Sequence, residues 1–345
     1  MICGAIEIHD DGLLAVGEDG RMLAPPSPGY AVVDDEVVTG MAAARRSRLR
    51  PRLVDHRFWS ELDAAPMGRP FPDGLSRADL AHAHLAALWA EVGGGVNEVL
   101  LAVPGSASEA QLGLLLGVSR AAGIPVRGLV DAAVAASSGT AAGERLLHLD
   151  LQLHRAVLTE MTGGGELQRQ AVRALSGAGL HAIRDAWFRR IAGIFVARTR
   201  FDPQHAAATE QSLFDALPHV VARLRRHESC PLELRSSGRV HAVDVGRAEL
   251  LAATAGIYDG IRRLARAGLG SGGARLLLSD RAAALPGLAT LLSAESWGPP
   301  EQLPPGAAAA GALRCRDAIR ADGEALPFIT RLPVLPPVEG TDGPA

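Results

Sequence analysis

Residues 97–150 read NEVLLAVPGSASEAQLGLLLGVSRAAGIPVRGLVDAAVAASSGTAAGERLLHLD, and their order decides the fold. Residues 98–103 are apolar, rich in leucine and valine, and Pro104-Gly105 stops them as a strand is stopped. Ser106 or Ser108 then offers a helix cap, with Glu109 in the first turn, apolar Leu112, Leu115, Leu116 and Val118 along the helix, and Gly123 closing it. Residues 124–129 predict a second strand, 131–138 a helix of small residues, and 146–149 a third strand ending at Asp150. Strands alternating with helices at this spacing predict an α/β layer architecture with right-handed crossovers.

Outward from this stretch the chain divides coarsely. Residues 2–24 predict three short strands with turns at Asp10-Asp11-Gly12 and Glu18-Asp19-Gly20, and 30–33 a further strand. Residues 49–74 are Pro-rich and irregular, and their aromatics Phe58, Trp59 and Phe71 suit either a packed subdomain or an exposed partner-binding loop. A helix over 75–92 carries Ser76 as cap with Asp79 behind it. A hairpin is expected about Gly163-Gly164-Gly165, then helices over 180–197 and 206–227, a strand pair at 232–235 and 240–245, and a helix over 247–267. The expected division is a first lobe over 1–175 with a subdomain at 34–95, a second lobe over 176–330, and a disordered Pro/Gly-rich tail over 331–345.

Three segments together resemble a known family. They are VPGSASEAQ at 103–111, AAGIPVRGLVDAAVAASSG at 121–139 and LHLDLQLHRAVLTEM at 147–161, and the chain they define resembles the nucleotide-binding domain of DnaK-type heat-shock chaperones, in the actin and hexokinase superfamily. Residues 274–292 resemble that family's adenosine strand with its helix, and 304–313 its closing alanine-rich helix. The resemblance spans roughly residues 3–315 and implies an actin-like ATPase fold of two RNase-H-like lobes, each a mixed five-stranded sheet with flanking helices. No room remains within this sequence for that family's substrate-binding domain.

The departures carry the functional expectation. Where the family has a glycine-rich first phosphate hairpin, this chain has Glu7, His9, Asp10, Asp11 and a single Gly12, which repel a triphosphate unless Mg²⁺ intervenes. Its second hairpin reads Asp150-Leu151-Gln152-Leu153-His154-Arg155, and Ser279-Asp280 replaces the glycine pair of the adenosine loop. The chain contains no lysine, its 35 basic residues being all arginine, so neither the family's active-site lysine nor a Walker-type phosphate loop has a counterpart. With the phosphate site vacated, Arg155 is expected to pair there with Glu7, Asp10 or Asp11. Gly268-Leu269-Gly270-Ser271-Gly272 precedes a strand, where a dinucleotide fingerprint must follow one.

Composition bounds the rest. A net charge of -3 with no basic face argues against nucleic acid, and Arg45-Arg46 and Arg225-Arg226 read as solvated helix faces. Cys3, Cys230 and Cys315 are too few and too scattered for a disulfide framework, which suits a reducing, cytoplasmic compartment; no signal peptide or membrane span is read. Two function classes follow. The first is a degenerate member of the superfamily that has lost hydrolysis, needs no cofactor and binds a protein partner or itself as a scaffold. The second is a retained ATPase or nucleotide switch, with Asp131 and Asp150 as the family's water- and metal-ordering carboxylates, Mg near Asp10 and Asp150, and ATP held by Glu7, His9, Asp11, Gly12, Gln152, His154, Ser279 and Asp280. A sugar kinase is a remote third, because it needs the same missing glycines.

Overall fold

The computed structural model describes residues 2–140, 145–269, 273–295, 297–321, 323 and 326–336. They form a mixed α/β protein built on two six-stranded sheets. In the first, the order is Phe328–Ile329, Val126–Asp131, Val96–Val103, Ile2–His9, Gly12–Gly17, Ser27–Pro28. The second runs Glu301–Gln302, Arg275–Leu278, Arg145–Leu151, Arg155–Thr162, Glu166–Ser176, Arg331–Pro333. Each has one central strand that pairs antiparallel with its own hairpin partner on one side and parallel with a later strand on the other. The two sheets therefore share one strand pattern.

Alternation within the strands explains how the layers stack. Ile6, Ile8, Val99, Leu101 and Val103 pack on one face of the first sheet beneath the helices Arg77–Val92 and Glu109–Ala121. Ala5, Leu100 and Ala102 point to the other face, where the helices Ala132–Ser137 and Ala307–Arg314 fill the space before the second sheet, which presents Leu146, Met161 and Leu277. Small side chains let this middle layer stay thin. Leu147, Leu149 and Leu151 face outward into the largest core, with Trp187, Phe188 and Phe195 of the helix Leu180–Thr199 and with the helices Ala207–Leu224 and Arg247–Leu269. Both faces of each central strand are thus buried, as parallel pairing requires.

Most local expectations hold, although residues 2–24 form two strands, Ile2–His9 and Gly12–Gly17, rather than three, with only an isolated bridge from Val16 to Met22. Ser76 and Asp79 form a reciprocal capping box, as do Ser108 and Gln111, and the hairpin Ser229–Ser236 with Arg239–Gly246 lies where strands were predicted. Three further expectations change. The strand Arg145–Leu151 and its hairpin belong to the second sheet, so the division between sheets falls between Asp131 and Arg145 rather than near 175. Each sheet gains a sixth strand from the segment 328–333, so residues 331–333 are no disordered tail: they pair with Glu166–Gln168. Residues 337–345, expected disordered, lie outside the described residues. Within 49–74, Phe58 and Trp59 are buried, Trp59 donating its Nε1–H to His84 Nδ1 at 3.1 Å, so this segment packs as a subdomain and offers no exposed aromatic pair. Among the described residues no helix is long and apolar enough to cross a membrane.

Candidate functional site

Two hairpin turns meet between the sheets: residues 9–12 of the first, residues 151–155 of the second. Asp10 reaches across, its buried carboxylate accepting the backbone N–H of Leu153 at 2.6 Å and of His154 at 3.4 Å. Main-chain N–H groups at such a turn form an anion site. Here a side-chain anion from the opposite hairpin fills it.

The helix Leu180–Thr199 points its N-terminus at the same turn. Its first free donors, Leu180 N–H and His181 N–H, bond to the carbonyl oxygens of Gln152 and Leu153 at 2.9 and 2.8 Å. A helix N-terminus is otherwise a ready anion site, and these donors are spent on the turn. The contact requires glycine before the helix, since a Cβ at Gly179 would lie 2.4 Å from Arg155 N and 2.5 Å from Leu153 O. Gly12 is fixed the same way, its added Cβ falling 2.3 Å from Ser27 O of the neighbouring strand. Its hydrogen atom serves sheet packing.

Charge is arranged around two arginines. Arg281 lies 2.9 Å from Glu7 and 3.1 Å from Asp150, and 3.5 Å from Asp280. Burial alone would favour neutral carboxylic acid at Asp150, but Arg281 and then His9 hold its pKa well below the usual carboxylate range. Asp280 goes the other way: burial dominates and raises it. His9 Nε2 is 2.7 Å from Asp150 Oδ2. Burial and Arg281 oppose a charge on His9, yet Asp150 and Asp10 outweigh them and raise its pKa. His9 Nδ1 faces both the Asp11 N–H at 3.3 Å, which asks for a bare nitrogen, and Asp10 Oδ1 at 3.5 Å, which asks for a proton. Both contacts are long; the two carboxylates decide the direction. Asp11 is gripped by both terminal nitrogens of Arg184, at 2.6 and 3.2 Å.

The remaining expected site residues are placed as follows. Gln152 is buried, accepting from Arg155 Nε at 2.6 Å and donating weakly to Ser106 Oγ at 3.4 Å. Arg155 therefore does not enter the carboxylate cluster, and the expected ion pair is made by Arg281 instead. The His154 side chain leaves the hairpins, stacking on His56 and donating its Nε2–H to His56 O at 2.9 Å, with His181 beside both. Burial and the neighbouring imidazoles push His56 down to about 3 and His181 to about 4, so both are neutral. Ser279 caps the short helix Asp280–Ala283, and its N–H donates to Leu149 O. Asp131 is fully committed to structure: Oδ1 accepts from Ala133 and Val134 N–H at the start of its helix, and Oδ2 meets Arg169 at 2.7 Å. It is not free to order a water.

The structure thus brings Glu7, His9, Asp10, Asp11, Asp150, Gln152 and Asp280 together, and adds Arg184 and Arg281, which sequence reasoning did not single out. For Arg281 a signal existed: it follows Ser279-Asp280 directly, in a chain whose buried carboxylates can be paired only by arginine or histidine. Among the described residues, no group of three or more His, Cys, Asp or Glu is arranged to hold a metal ion. The Leu153 and His154 N–H groups are occupied by Asp10, and Glu7 and Asp150 by Arg281, while Glu7, His9, Asp11 and Arg281 also line an open cavity. The chain matches no protein-family model and no curated protein sequence.

Proposed function

We propose that the chain is an actin-like, two-lobed protein whose phosphate site has been closed by its own side chains, and that it acts as a non-hydrolysing protein-binding scaffold. The repeated strand order of the two sheets supports the two-lobed reading. One observation carries the loss of turnover: the Asp10 carboxylate sits on the Leu153 N–H at 2.6 Å, where a phosphate oxygen would have to bind. A nucleotide entering here must displace Asp10 and break the Arg281 bridge between Glu7 and Asp150, exposing like charges to a polyanion. Catalysis of phosphoryl transfer rests on donors aimed at the transferring group, and those donors are occupied. What two such lobes retain is surface, and binding to a protein partner or to a second copy uses it.

Thermal melting with and without Mg-ATP, alongside steady-state phosphate release, tests the reading. A ligand at 100 times its Kd stabilises by about 2.7 kcal/mol, so an unshifted melting temperature and release equal to buffer are expected. Release that disappears in Asp150→Ala would overturn it. Cross-linking in the native host, with the chain as bait, reads the binding half; a chain that remains monomeric and recovers no partner overturns that half alone.

A further inference from the structure

We propose that the cleft beside this closed site binds a small amphipathic organic anion, an apolar body with one acidic head such as a fatty carboxylate. The cavity there measures about 810 Å³, within the range of roughly 300–1,000 Å³ typical of small-molecule sites. Its long wall is one stripe of the helix Ala207–Leu224: Phe214, Leu217, Pro218, Val221 and Ala222, at the i, i+3, i+4, i+7, i+8 spacing of a single helix face. Such a stripe normally closes against another element. Here only Leu217 is buried; Phe214 leans on Tyr30 and Arg48 at one end, and Pro218, Val221 and Ala222 line the cavity. Across the gap stand Met22 and Met41, 53% and 50% exposed. Exposed methionines suit an apolar ligand of variable shape, because an unbranched thioether repacks at little cost.

Charge gives the cavity a direction. Its acidic lining groups at the closed site are already paired, Glu7 and Asp280 with Arg281 and Asp11 with Arg184. At one end of the helix stripe, Gln211 Nε2 bonds both Asp215 Oδ1 and Ala44 O, which places Asp215 close to the segment carrying Arg45. That end carries both signs. Arg225 lies ten residues beyond Asp215, roughly 15 Å along the axis, and makes no ion pair with any described residue. Arg223 and Arg226 flank it, also without an ion pair among the described residues. The opposite end of an apolar groove is therefore a cluster of uncompensated guanidinium groups, of which Arg225 faces the cavity. An apolar chain lying along Phe214 to Ala222 delivers a carboxylate to Arg225. A triphosphate finds no comparable donors along the apolar wall.

This inference does not rest on the scaffold reading, and the test separates the two. Dansyl-labelled undecanoic acid is titrated into the full chain, with excitation of its four tryptophans, of which Trp187 lines the cavity, and detection of energy transfer to the dansyl group. Saturable one-to-one binding is expected. Arg225→Gln, an exposed change, weakens it about tenfold, the loss of one charge-assisted contact, and the neutral amide of the same probe binds wild type as weakly as the acid binds that variant. Arg45→Gln changes affinity less than twofold. Ala222→Trp fills the groove and abolishes binding with an unchanged melting temperature. Absence of saturable transfer, or equal affinity for wild type, Arg225→Gln and the neutral amide, overturns this inference alone. Displacement of the probe by Mg-ATP overturns both this inference and the non-hydrolytic reading above.

Discussion

The carboxylate of Asp10 and the backbone N–H of Leu153, 143 residues apart in the chain, meet at 2.6 Å and join the turns of the two sheets. A turn that elsewhere needs a bound anion to satisfy its donors is satisfied from within. The consequences of that joint can be measured.

Asp10→Ala leaves the buried donors of Leu153 and His154 with no acceptor, a loss of about 1–3 kcal/mol. Asp10→Asn keeps one carbonyl oxygen in place and loses less. Urea denaturation of the three proteins checks the ranking; equal stability of wild type and Asp10→Ala would show that the joint contributes nothing.

Arg281→Met strands Glu7 and Asp150 as buried carboxylates without their cation, and breaking a buried pair in this way costs about 3–5 kcal/mol. Adding Glu7→Gln to Arg281→Met recovers part of that loss, because one of the two stranded charges is removed. The double-mutant cycle is read from chemical denaturation, and a second substitution that merely adds its own loss contradicts the pairing.

His84 is fully buried, and burial lowers its pKa to about 3. Trp59 can only donate, so His84 Nδ1 is the bare acceptor and Nε2–H donates to Ser27 Oγ at 2.8 Å. Below the unfolded pKa of about 6.5 the unfolded chain takes up a proton that the folded chain refuses, so stability falls with pH by roughly 1 kcal/mol per unit down to about 3. His84→Gln, whose amide accepts and donates in the same two directions, flattens that slope between pH 4.5 and 6. A parallel slope in the variant sinks the assignment.

His9 has the opposite sign. Its folded pKa is raised by Asp150 and Asp10, so its contribution is fully present below the unfolded value of about 6.5 and fades as pH rises through the folded value. His9→Gln is therefore more damaging at pH 6 than at pH 9. Asp150 does not blur this window, since its depressed pKa acts only in acid, with stability lost as pH falls through a value well under 3.8.

Gly179→Ala forces a Cβ against the backbone of the second hairpin at 2.4–2.6 Å, where no side-chain rotation relieves it. Overpacking of this kind costs about 1–3 kcal/mol, and the melting temperature falls accordingly. Gly165→Ala, with no atom within 4 Å of the added carbon, serves as the comparison and stays near wild type.

What could be read in the sequence was what neighbours determine. Ser76 with Asp79 and Ser108 with its helix act over three residues, and Glu98 to Val103 announces a strand by composition alone. The identity of a strand's partner is a different matter. Residues 145–151 look alike whether they extend the first sheet or centre the second, and only their bonds to Arg275–Leu278 decide. The carboxylates of the site were visible as departures from a glycine-rich pattern, and Arg281 could have been read from its place after Asp280, but Arg184 could not: it binds Asp11 across 173 residues, with nothing in its own helix to distinguish it from Arg189 or Arg190. Residues 331–333 are too few to display any periodicity at all.

That last short strand constrains motion more than its length suggests. Ile329 completes the edge of one sheet against Val130, Arg331 completes the edge of the other against Gln168, and Thr330 alone lies between, its carbonyl holding Arg169 N–H at 3.0 Å. One residue spans at most about 3.6 Å, so the two edges cannot part at this point without unzipping one of them. Thr330 therefore acts as a tether: any change in the spacing of the two sheets at this edge must leave these few ångströms nearly unchanged, and larger displacement has to come from regions away from it.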